Sequence, residues 1–351
     1  MSWLTSSDWA VCSAFVLSFL CTGFSIPVAY ALGILDRPGV IKIHANVTPR
    51  FGGLGIVVGL LASVLALRLM PMLAVAGLAA IALTGALDDK FSIKPTQKLA
   101  GETVSGVLLG AAFLHGHWGA ASIPLALVLV VVLANAVNLI DGLNGLAAGY
   151  TTIAAAGFAL VMMIAGLNPA VAAALSLAAL GFLLWNFPRA RTFMGDVGSL
   201  GIGYCLAYLL LSIAQQSGAA LVSALPLLAI PVCDMVLGIV RRWIRGRPIL
   251  QGDRDHFYDV LNRKLGNATV TTLVVYGLSL LFLGLGLFAT RISISAALGI
   301  YAAILVGLIP LSLQAGFLPR RRGYRVGALP ELIAGTADDH VAAAGGAEEA
   351  D

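Results

Sequence analysis

The chain has 351 residues, about two average domains by length, yet 59% of them are hydrophobic and 11% are charged. A soluble domain carries roughly 25% charged residues, and 21 basic and 17 acidic side chains cannot cover the surface of a water-folded chain of this size. The composition excludes an ordinary soluble protein in favour of an integral membrane protein, and a net charge of +4 gives no reason to expect nucleic acid as a partner.

Apolar stretches recur along nearly the whole chain, at 10–33, 51–68, 70–87, 99–114, 121–139, 146–166, 170–187, 197–216, 219–240, 269–290 and 293–317. Most approach the roughly 20 residues that cross a hydrocarbon core as a helix. They predict an all-α polytopic fold with eleven transmembrane helices and no β-barrel alternation. The stretch at 99–114 is short and contains Glu102. The first is not read as a cleaved signal, because Asp8 and no Lys or Arg precedes it. Cys12, Cys21, Cys205 and Cys233 lie in apolar stretches without metal spacing and read as small buried thiols.

Placing residues 34–50 in the cytoplasm and alternating from there puts 19 of the 21 Lys and Arg on cytoplasmic segments, leaving out Arg68 and Arg291. This bias predicts a periplasmic N-terminus, a cytoplasmic C-terminus and a multi-pass protein of the cell inner membrane. One transmembrane domain is expected over 1–318, with cytoplasmic loops 34–50, 88–98, 139–145, 188–196 and 241–268. Residues 319–351 turn from basic to acidic and are expected to be a disordered tail.

The acids converge on the same face. Asp88 and Asp89 close one span, Asp141 follows another and Asp196 opens a third. In Asn135-Ala-Val-Asn138-Leu-Ile-Asp141-Gly142 the two amides share a helical face inside an apolar span, which calls for a polar pocket or for amides joining helices. Phe193-Met-Gly195-Asp196-Val-Gly198-Ser199 is a short polar turn that lacks the spacing of a Walker A loop. Asn186 and Arg189, just before it, are placed to hold a nucleotide or phosphate. The longest loop holds Arg254-Asp255-His256-Phe-Tyr258-Asp259, where Arg254 can neutralise a phosphate and His256 can donate a hydrogen bond to one. Hard carboxylates without a His/Cys cluster favour Mg2+, with Mn2+ as a substitute. Together these features point to transfer of a phosphorylated group to a lipid, with a transporter as the competing class.

The motifs Leu35-Asp36-Arg37-Pro38, His44, Pro49-Arg50-Phe51-Gly52-Gly53, Gly85-Ala-Leu-Asp88-Asp89, Lys98, Asn135 to Gly142, Phe193 to Ser199 and the His256 loop occur in this order across 34–265. In this the chain resembles the polyprenyl-phosphate N-acetylhexosamine-1-phosphate transferase superfamily, glycosyltransferase family 4. It is most similar to the undecaprenyl-phosphate GlcNAc-1-phosphate and O-antigen initiating branch. The resemblance implies a Mg2+-dependent enzyme that moves a sugar 1-phosphate from a UDP-N-acetyl sugar to undecaprenyl phosphate and releases UMP. It assigns Asp88, Asp89, Asp141 and His256 to catalysis, and Asp196 with Asp88 to the metal. His44, Lys98, Asn138, Asn186, Arg254 and Asp259 fall to substrate binding. Which of Asp88, Asp89 and Asp141 acts as a base stays open. The expected partners are the two substrates, membrane lipids and a second copy of the chain in a homodimer. The last loop reads His256-Phe-Tyr258-Asp259-Val260 where many GlcNAc-1-phosphate enzymes have HxxHH. This leaves the donor sugar open and argues against the MurNAc-pentapeptide substrate of the peptidoglycan branch, the alternative within the superfamily.

Overall fold

The structure, a computed structural model, describes residues 6–37, 47–246 and 255–315. His44, Arg254 and the tail at 319–351 lie outside the described residues. Helices dominate: α1 (Ser6–Leu32), α2 (Gly53–Ala66), α3 (Met72–Phe91), α4 (Pro95–Ala112), α5 (Ser122–Ile140), α6 (Leu146–Ile164), α7 (Ala170–Asn186), α8 (Gly195–Ala214), α9 (Gly218–Ala224), α10 (Ala229–Ile244), α11 (Phe257–Leu265), α12 (Ala268–Ala289) and α13 (Ile294–Ala315). Two short strands, β1 (Leu35–Asp36) and β2 (Thr48–Pro49), pair antiparallel with Leu35 opposite Pro49.

Every apolar stretch of the sequence falls on a helix or helical run. Among the described residues, seven helices or helical runs are long and apolar enough to cross a membrane: Val11–Leu32, Met72–Phe91, Gly119–Ile140, Leu146–Ile164, Gly195–Ala214, Gly218–Ile244 and Ala268–Ala289. Gly53–Ala66 and Ala170–Asn186 are apolar but shorter, and α13 is apolar over Ile294–Leu308. α4 carries Lys98 and Glu102 toward its N-terminal end. The protein is therefore an all-α, multi-pass membrane protein.

Among the described residues, two expected loops are partly helical. α3 runs on through Asp88 and Asp89 to Phe91, and Pro95, whose fixed φ suits a first helical position, starts α4 three residues before Lys98. The segment 88–98 is thus two helix ends joined by a tight turn, with Ser92 in the left-handed conformation that ends α3. Within 241–268, α10 extends to Ile244 and α11 occupies Phe257–Leu265.

The core is organised around α8, in which every residue from Gly195 to Leu211 is buried. Small residues let neighbouring backbones close on it, the usual device where lipid supplies no hydrophobic drive between helices. A Cβ on Gly203 would overlap the backbone of Ala134 in α5, and one on Gly53 would overlap that of Gly198. A Cβ on Gly85 would overlap the backbone of Asp196 and Val197. That last crossing brings the end of α3 against the start of α8.

Candidate active site

The segment 49–53 is zipped onto the entry to α8. Phe193 N–H donates to Pro49 O (2.8 Å), Gly52 N–H to Phe193 O (2.9 Å) and Gly53 N–H to Met194 O (2.9 Å). This carries Arg50 over the first turn of α8, where its Nη2 meets Asp196 Oδ1 at 2.6 Å and its Nε meets Asp89 Oδ1 at 3.2 Å. Burial opposes the Arg50 charge, but Asp89 and then Asp196 more than offset it, so the guanidinium holds its proton more firmly than usual.

Asp88 and Asp89 are adjacent in α3, so their side chains diverge by about 100° and do different work. The Asp89 side chain is fully buried and takes the backbone N–H of Asp196 (2.8 Å) and of Val197 (3.0 Å). It caps the N-terminus of α8 from across the α3–α8 crossing, satisfying two of the donors a helix start leaves open. Asp88 stays partly exposed and lies within hydrogen-bond reach of Asp196. Lys98 bridges both carboxylates, Asp88 at 3.5 Å and Asp196 at short range. Asn138 completes the surround of Asp196, donating from Nδ2 to its Oδ1 (3.1 Å) and to Ser199 Oγ (2.9 Å). Four helices, α3, α4, α5 and α8, thus contribute one polar side chain each to a cradle that Arg50 closes.

Asp141 is the residue that ends α5 and is half-buried near Arg50, Asp196 and Asp89. Loss of solvent pushes its carboxyl well up from the usual range, and the charges of Asp196 and Asp89 add to the effect against the pull of Arg50.

Asn186 is buried and spends its amide on protein backbone. Its Oδ1 accepts from Gly145 N–H (2.6 Å) and its Nδ2 donates to Thr192 O (2.8 Å). Gly145 takes a positive φ, and its carbonyl accepts from Tyr276 (2.7 Å). Asn186 therefore braces two loops and directs neither end of its amide at a ligand. Asp259 lies in the first turn of α11, in contact with the backbone of His256 that precedes the helix. Burial raises its carboxyl, opposed by His256 and Arg263.

His256 is buried with Asp234 of α10, Nδ1 to Oδ2 at 2.7 Å. No sequence motif marks Asp234, and its place inside an apolar helix was the available signal. Arg50 was read as part of a motif and not as a site residue. A base between Pro49 and Phe51 carried no signal that it would reach Asp89 and Asp196.

Helix ends that join hard carboxylates to a lysine and an arginine, in an all-α membrane protein, have the chemistry to handle phosphorylated substrates. Residues 71–214 match Glycosyl transferase family 4. The chain is 31% identical over 293 residues to the probable undecaprenyl-phosphate N-acetylglucosaminyl 1-phosphate transferase of Bacillus subtilis (strain 168), covering 77% of this chain and 82% of that protein. It is 33% identical over 362 residues to the decaprenyl-phosphate N-acetylglucosaminephosphotransferase of Mycobacterium tuberculosis (strain CDC 1551 / Oshkosh), covering 89% and 88%. To the undecaprenyl-phosphate alpha-N-acetylglucosaminyl 1-phosphate transferase of Escherichia coli (strain K12) it is 26% identical over 277 residues, covering 72% and 75%. The chain belongs to glycosyl transferase family 4, among the polyprenyl-phosphate N-acetylhexosamine-1-phosphate transferases.

Proposed function

We propose that the protein transfers GlcNAc 1-phosphate from UDP-GlcNAc to undecaprenyl phosphate, releases UMP, and so starts a lipid-linked surface glycan. The observation that carries this reading is the cradle in which Asp88 and Asp196 share Lys98 while Arg50 ties Asp196 to Asp89. In this arrangement the two bases neutralise the acids, and an arriving diphosphate offers them stronger anionic partners. The phosphate of the lipid is already anionic at neutral pH, so attack needs alignment and charge neutralisation more than a base. Asp89 serves that alignment by fixing the first turn of α8.

The donor set fits Mg2+. Asp88 and Asp196 are hard oxygen ligands within reach of one another, and Mg2+ is commonly bound through one or two carboxylates completed by water and substrate phosphate. Among the described residues no three His, Cys, Asp or Glu side chains form a self-contained cage. Bound there, Mg2+ would neutralise the diphosphate and stabilise the departing phosphate oxygen.

We place the cradle on the cytoplasmic face of the inner membrane, with eleven crossings, an outside N-terminus and an inside C-terminus. The charge bias along the sequence supports this reading. Leu83, Leu87 and Phe91 form an exposed apolar stripe on α3 that ends beside Asp88, a surface along which a prenyl tail can lie while its head meets the cradle. The test is to supply purified protein with Mg2+, UDP-GlcNAc and undecaprenyl phosphate. UMP release that requires the lipid is expected, and its absence in folded protein overturns the proposal. Solute flux in vesicles without lipid product would favour a transporter.

A further inference from the structure

Asp234 is nearly inaccessible in α10 and makes two contacts with the segment that starts α11. Its Oδ2 meets His256 Nδ1 at 2.7 Å, and its Oδ1 accepts the Phe257 N–H at 2.8 Å. An ionised carboxylate only accepts, so the ring nitrogen facing it carries the hydrogen. Nε2 is the nitrogen left over by this contact.

The ring is fixed from a second side. Tyr258 stacks on it nearly parallel, with centroids 5.7 Å apart, and the Tyr258 hydroxyl donates to Leu139 O at 3.0 Å. Tyr258 also lies directly against Gly142, where a Cβ would collide with the phenol. Leu139 and Gly142 flank Asp141, and Asn138 next to them holds Asp196. A continuous set of contacts thus runs from Asp234 through His256 and Tyr258 to the residues of the cradle.

We infer that Asp234 is a positioning residue: it locks the His256 ring through Nδ1–H so that Nε2 is presented to the phosphorylated sugar donor. Such a hydrogen bond fixes both tautomer and ring orientation, as carboxylates do for functional histidines elsewhere. The inference rests on the transferase reading for the identity of the substrate, while the pairing itself stands on geometry.

Asp234→Asn isolates the histidine contact. The Phe257 N–H can only donate, so the Asn carbonyl must stay there and the amide NH2 must face Nδ1, displacing its hydrogen. The chain has five histidines, so 15N-histidine spectra of the full-length protein in micelles, with His256→Gln to identify the signals, read this directly. Nδ1 of His256 should carry hydrogen in the native chain and lose it in D234N. An unchanged Nδ1 signal overturns the inference. In transfer assays, D234N should lose about 10- to 100-fold in kcat/KM, and the D234N/H256Q double variant should be no slower than H256Q alone. Losses that multiply would show Asp234 acting apart from His256 and would also overturn the inference. Asp234→Glu should recover part of the D234N loss. If the native chain transfers nothing, the proposed reaction fails, and the Nδ1 signals still decide the pairing.

Discussion

Two polar clusters of this protein draw on similar residues and spend them differently. Around Asn186, every hydrogen bond of the amide goes to backbone, so the cluster closes on itself and holds loops in place. In the cradle, Asp88, Asp196, Lys98 and Arg50 are partnered by one another's charges. A backbone partner cannot leave without unfolding something. A charged side chain can exchange its partner for a ligand of the same sign. Asp89 shows the divide within one motif, since it belongs to the cradle by sequence and to the scaffold by contact.

The largest effect should come from the exchangeable side. Asp196→Asn keeps the shape of the side chain but loosens Lys98 and Arg50, and kcat should fall about 100- to 1,000-fold with the protein still folded. A D196N enzyme of near-native kcat would show that the cradle is ordinary surface chemistry. Asp89 should instead fail as a scaffold residue. Asp89→Ala leaves the Asp196 and Val197 N–H groups buried without acceptors, at about 1–3 kcal/mol each. The thermal midpoint in detergent should drop well below that of Asp88→Asn. Equal midpoints for the two would erase the distinction drawn between neighbouring aspartates.

Asn186→Ala should cost about 1–3 kcal/mol of stability by orphaning the Gly145 N–H and the Thr192 carbonyl, while KM for the sugar nucleotide stays near native. A KM raised tenfold without loss of stability would move Asn186 to the binding surface, where the sequence placed it. The smallest effect concerns Asp141. Its carboxyl is raised in the folded chain, so the protein loses stability as pH climbs from the ordinary carboxylate value, roughly 3.9, through the raised one. Asp141→Asn should therefore match the native midpoint at the acid end of this window and exceed it increasingly toward neutral pH. A difference that stays flat from pH 5 to 8 would refute the shift.

The helical architecture was legible because lipid leaves few alternatives, and every apolar stretch became helix. Helix ends were less so. Residues 88–98 read as a loop because charge looks like solvent exposure, whereas the Asp88, Asp89 and Lys98 charges are held by one another and by α8. Gathering Asp88, Asp196, Lys98 and Asn138 was within reach of the motifs. The division of labour between Asp88 and Asp89 was not, because it depends on the close α3–α8 crossing at Gly85. Asp234 was hidden for a similar reason: only the fold brings α10 beneath His256.

In the proposed reaction a phosphoryl group, and not the sugar alone, moves to the lipid. UDP-GlcNAc labelled in the β-phosphate tests it most directly. Incubated with the purified protein and undecaprenyl phosphate, the label should pass into the lipid-linked product while the released UMP is unlabelled. Label retained in UDP, or absent from lipid altogether, would contradict the account.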